Sequence, residues 1–174
     1  MKNYKRIHII GRAGSGKTYT SRKLAEILNV QATELDELFW EVGRNDYSKH
    51  TDSELRDRNL HNLLNHDSWI LEGVYHDWVA ESFQRADLII FIRSSFILST
   101  LRIVLRYLKI RVGIISHGRK ETFSGLIETI KRNKNYHNVY TNEILKFLTP
   151  HRDKLQYFNK GEIAVSYFRS RNKF

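Results

Sequence analysis

The stretch of this chain with the plainest chemistry is GRAGSGKT, residues 11–18, which fills the pattern G-x-x-x-x-G-K-[ST] directly after the strand-like IHII at 7–10. Glycines at 11, 14 and 16 let the backbone curl until successive N–H groups face inward, where they surround phosphate oxygens at a helix N-terminus. Gly11, Ala13, Gly14, Ser15, Gly16, Lys17, Thr18 and Tyr19 are the residues that such a loop sets around a nucleotide's phosphates. Lys17 would reach the β- and γ-phosphates, and the Thr18 hydroxyl would ligate Mg2+. The rival reading is a glycine-rich turn with a surface lysine. That turn has no need of the strand before and the helix after, both of which this sequence provides.

Further residues suit a phosphate that is to be moved. Asp36 falls just past a short second strand, where a carboxylate binds an acceptor or a water on Mg2+, or simply caps a helix. Phe39 and Trp40 follow it; such rings stack on an acceptor or belong to ordinary core. Arg102 and Arg106 stand one helical turn apart and can point together at bound phosphates, with Arg111 or Arg119 arriving from the loop beyond. Phosphoryl transfer is mostly positioning plus neutralisation of charge on the transferred group, so convergent arginines are what it requires. Basic surface charge without a role is the competing account.

Two shorter patterns are incomplete. Asn133 and Lys134 begin an N-K-x-D guanine-reading motif, but Tyr136 stands where the aspartate is required, so ATP is the expected nucleotide. HRDK at 151–154 mimics part of the protein-kinase catalytic loop, yet Phe158 occupies the position of its asparagine. We read that match as coincidence.

These residues need elements that bring them together. KRIHII (5–10) and ADLIIFIRS (86–94) read as buried strands, the latter of the kind covered on both faces. A short strand ends near Leu35, another spans SWILEGVY, and KLQYF at 154–158 is a last one. Helical spacing runs over 18–28, over 51–64 with Thr51 and Glu54 as a capping box, over 97–112, over about 125–148, and after Asn159 with Glu162. In the helix over 97–112 the apolar positions 97, 98, 101, 104, 105, 108 and 112 keep helical spacing, while Arg102, Arg106 and Lys109 fall on another face. Residues 113–124 look like a mobile loop. Strands alternating with helices imply an α/β fold with a parallel sheet, and ligands of such sheets sit at the carboxyl ends of the strands.

Composition narrows the classes. The 174 residues suit one domain, and 41% hydrophobic with 28% charged residues is ordinary for a folded globular chain. There is no cysteine, which removes disulfides and thiolate metal sites. The N-terminus lacks the apolar core of a signal peptide, and Arg102, Arg106, Lys109 and Arg111 interrupt the most apolar stretch, at 96–115, so no membrane partner and a cytoplasmic location are expected. Net charge is +10, and residues 102–134 carry nine Lys/Arg against two Glu. Such a segment suits phosphates on a small molecule, a nucleic acid or a lipid.

IIGRAGSGKTYTSRKLA, ELDELFW, DSWILEGVY and RADLIIFIRSS, in that order and spacing, resemble the small P-loop kinases called DNA topology modulation proteins, relatives of adenylate kinase, over most of residues 5–110. The resemblance implies a single three-layer P-loop NTPase domain over 1–174 with five parallel strands, an acceptor-binding insertion at 36–66 and a lid at 102–124. It also places Glu72 and Gly73 at the family's acidic-glycine pair near the metal. Its implied metal set is Thr18, Asp36 and Glu72, and its acceptor set Asp36, Phe39, Trp40, Glu72 and Gly73. Lys17, Arg102, Arg106 and Arg119 are then the catalytic cations. The expected activity is ATP- and Mg2+-dependent transfer of the γ-phosphate to a small acceptor, a nucleotide or nucleoside-like molecule. The alternative is an ATP-binding regulator that associates with nucleic acid through its basic segment, although no recognition motif for DNA or RNA is visible.

Overall fold

Side chains along the apolar runs alternate between two cores, as a pleated strand requires. Ile7 and Ile9 pack with Leu24, Ile70, Leu88 and Phe168 on one face, while Ile10 packs with Leu60, Leu71, Phe83 and Leu148 on the other. A computed structural model describes residues 4–41, 49–115, 122–136 and 141–171. Its strands are β1 (Arg6–Gly11), β2 (Ala32–Glu34), β3 (Trp69–Gly73), β4 (Leu88–Ile92) and β5 (Leu155–Phe158). They form one parallel sheet in the order β2-β3-β1-β4-β5, the α/β arrangement that the alternating pattern implies.

The helices are α1 (Lys17–Leu28), α2 (Leu35–Phe39), α3 (Ser53–Leu64), α4 (Ala80–Arg85), α5 (Phe96–Arg111), α6 (Phe123–Asn135), α7 (Thr141–Leu148) and α8 (Gly161–Arg171). α1 and α8 supply the first core's cover; α3, α4 and α7 supply the second's. The N-terminal ends of β1 and β4 are clasped by Asp87. Its carboxylate accepts from the Arg6 amide at 2.9 Å, the Lys5 amide at 3.1 Å and Arg6 Nη2 at 2.9 Å. Burial works against that charge, and the bonds from Arg6 and Lys5 overcome it to hold the carboxyl below its ordinary range.

Three features differ from the sequence-based expectation. The helix expected over 125–148 is two helices, α6 and α7, and residues 137–140 lie outside the described ones. The cap of α3 is Asp52 rather than Thr51; its Oδ1 accepts from the amides of Glu54 at 3.0 Å and Leu55 at 3.2 Å. The short α4 was not anticipated. On α5 the apolar positions 97, 101, 105, 108 and 112 face solvent, and the side chains that this helix buries are Ser99 and Ile103. Among the described residues no helix is long and apolar enough to cross a membrane.

Candidate active site

β1 ends at Gly11 and α1 starts at Lys17, so the glycine loop springs from the carboxyl end of the middle strand. Gly14 and Gly16 take left-handed backbone (φ 72° and 101°), which side chains rarely tolerate. A Cβ on Gly14 would also overlap the Ser99 carbonyl of α5. Within the curl, the Ser15 amide donates to the Arg12 carbonyl at 3.2 Å, and Lys17 Nζ donates to the same oxygen at 3.0 Å. The loop is therefore a preformed cradle with its lysine folded across it.

The neighbouring strand brings the first carboxylate. Register pairs Ile9 with Glu72 and Ile10 with Gly73, so Glu72 ends β3 beside the loop. The Thr18 hydroxyl donates to Glu72 Oε1, and Lys17 Nζ lies 3.9 Å from Oε2. Both side chains are buried, 8% exposed for Lys17 and 5% for Glu72. Burial pushes the Lys17 ammonium down and the Glu72 carboxyl up, and their mutual attraction opposes both shifts. A hydroxyl with a carboxylate fits Mg2+, which takes a few protein oxygens and completes its shell with phosphate oxygens and water. Among the described residues no group of three His, Cys, Asp or Glu side chains forms a metal cage. A magnesium ion there would take oxygens from Thr18 and Glu72 and the rest of its shell from phosphate and water.

Asp36 arrives from the edge of the sheet. β2 pairs with β3 with Glu34 opposite Glu72, so the chain leaves both strands side by side. Asp36, in the first turn of α2, meets Tyr75 two residues past Gly73; the Tyr75 hydroxyl donates to Asp36 Oδ1 at 2.7 Å. The Asp36 charge is felt at both Lys17 and Glu72. Burial first, and the carboxylate second, push the Tyr75 hydroxyl far above its ordinary pKa, so it stays a donor. Sequence reasoning missed Tyr75, which carries no motif of its own.

Phe39 is the hub of an aromatic cluster rather than a lone ring. It lies 4.7 Å from Tyr75 at 30°, 4.6 Å from His50 and 6.2 Å from Trp78 in a stacked arrangement. Trp40 is 8% exposed, its backbone bridges antiparallel to His50, and the two rings meet edge-on at 4.6 Å. Arg56 places its guanidinium 4.6 Å over Trp78.

The arginines divide. Arg102 Nη1 donates to the Ser15 carbonyl at 3.3 Å and Nη2 to Glu162 Oε1 at 3.4 Å, so this side chain straps the glycine loop to α8. Arg106 is exposed, and its charge depresses the Lys17 ammonium further. Arg119 lies outside the described residues, and Arg111 is exposed at the end of α5. Tyr19 is on the solvent side of α1 at 46% exposure. Asn133 cannot read a base: it is buried, and its Nδ2 donates to Ser99 Oγ at 3.1 Å and Thr100 Oγ1 at 3.3 Å. HRDK runs into the amino end of β5, opposite the glycine loop, as expected of a coincidence.

No family model and no curated protein matches the chain. Solved structures do. A shikimate kinase from Bacteroides thetaiotaomicron superposes with TM-score 0.53 at 20% identity, covering 97% of this chain and 98% of that one. An uncharacterized protein from Eubacterium ventriosum gives 0.53 at 16% identity, over 97% and 98%. A shikimate kinase from Acinetobacter baumannii in complex with shikimate gives 0.51 at 15% identity, over 96% and 92%. At this identity the likeness is one of architecture, and it extends over nearly the whole length of each chain.

Proposed function

We propose that this chain is an ATP- and Mg2+-dependent phosphotransferase that passes the γ-phosphate to a small acceptor of the nucleotide or nucleoside class. The observation that carries the reading is the gathering of Lys17, Thr18 and Glu72 where β1 and β3 end. The loop amides and Lys17 bind the phosphate tail. Thr18 and Glu72 would hold Mg2+, which when bound neutralises charge on the transferred group. Asp36, steadied through Oδ1 by Tyr75, offers its other oxygen to the acceptor and can take its proton. Phe39 and its neighbours wall that side, and Arg106 adds positive charge over Lys17. The solved kinases that share the architecture support transfer to a small molecule, and shikimate belongs in any acceptor panel.

The test is ADP release with ATP and Mg2+ across nucleotides, nucleosides and polyhydroxylated acids. One or more acceptors should accelerate it, and Lys17→Ala should abolish the acceleration with the fold intact by circular dichroism. Wild-type rates in Lys17→Ala would sink the proposal. The nucleic-acid alternative makes a separate forecast: filter binding to DNA that weakens steeply with salt. Negligible affinity at moderate salt removes it.

A further inference from the structure

Helix α5 is amphipathic in the opposite sense to a core helix. Ile97, Leu101, Leu105, Leu108 and Val112 are 79, 53, 45, 50 and 68% exposed. At 100° per residue these five lie within an arc of about 80°, on the far side from buried Ser99 and Ile103. Lys109 and Arg111 border the arc about 40° beyond either edge. A contiguous exposed apolar strip of this kind marks a contact surface.

Its chemistry selects the occupant. Nucleic acid would engage the cations and leave the leucines wet. A second copy would bring the Lys109 and Arg111 of both chains into one interface, each chain already at +10. An anionic bilayer takes both features, apolar side chains into the interface and cations onto phosphate headgroups. We propose that α5 docks this protein in the plane of an anionic phospholipid surface. Contact of this kind requires no spanning helix. The glycine loop meets α5 on its buried side, where Gly14 lies against the Ser99 carbonyl, so docking leaves the candidate site open. This inference stands independently of the phosphotransfer reading.

The experiment is flotation of the full chain with vesicles of phosphatidylcholine alone or with phosphatidylserine added. Binding to the anionic vesicles should exceed that to neutral ones by about tenfold or more and fall as salt rises. Leu101→Glu combined with Leu105→Glu should lower it by about tenfold or more, with unchanged circular dichroism. If that variant fails to fold, the lipid and salt dependence of the wild-type chain decides. Equal binding to both vesicle types, no binding to anionic vesicles, or full binding by the folded double variant overturns the proposal. So does a wild-type dimer in sedimentation equilibrium that the double variant converts to monomer.

Discussion

Asp36 owes its orientation to a hydroxyl 39 residues away, and that single bond separates two kinds of contribution to the site. Tyr75→Phe keeps the ring against Phe39 and removes the hydroxyl that donates to Asp36 and accepts from Trp40. It should reduce acceptor-dependent ADP release by about tenfold, in line with loss of a hydrogen bond to a charged group, and leave ATP affinity by calorimetry unchanged. Equal loss of ATP affinity would show that Tyr75 merely supports the fold. Deeper in the same core, on the face of β1 that His8 shares with Ile10, His8 donates from Nδ1 to Ser82 Oγ at 2.7 Å, because the Ser82 hydroxyl is itself committed to the Val79 carbonyl at 2.6 Å. Burial holds the His8 imidazole down to about 3, from 6.5. Between those values the unfolded chain binds a proton that the folded chain does not, so stability must decline as pH falls through that window. The loss should reach on the order of 3 kcal/mol by pH 4, and His8→Gln should flatten it. Urea denaturation at pH 7 and pH 4 measures both slopes, and equal slopes would refute the assignment.

Among the elements, α8 constrains the glycine loop more directly than its distance in sequence suggests. A Cβ on Gly161 would overlap the Thr20 hydroxyl and come within 2.9 Å of the Gly16 carbonyl, and these two groups are already bonded to each other at 2.9 Å. Gly161→Ala should therefore displace loop backbone, at about 1–3 kcal/mol of stability and about a tenfold loss of ATP affinity. Wild-type ATP binding by that variant would show that loop and helix are uncoupled. GRAGSGKT was legible because its chemistry lies in eight consecutive residues. Strands β1 and β4 were legible because both their faces are buried and their runs are correspondingly apolar. Tyr75 was not, since only the adjacency of β2 and β3 places it at Asp36. The boundary between α6 and α7 was hidden because no proline or glycine punctuates residues 126–148. Periodicity identified α5 as a helix but is silent on which side packs, because a surface-seeking stripe and a core-seeking one have the same spacing.

In the molecule as a whole, the candidate site is divided between the sheet's best and least supported strands. β1, six residues long, runs between β3 and β4, whereas β2 contributes three residues at the rim. Opening of the rim alone would free Asp36 without disturbing the phosphate cradle. Deuterium should accordingly replace the β2 amide protons orders of magnitude faster than those of Ile9 and Ile10. In the proposed phosphotransfer, the half of the cleft assigned to the triphosphate would be a fixed anvil and the half assigned to the incoming molecule a hinged jaw, able to adapt to cargoes of different shape while the donor stays registered.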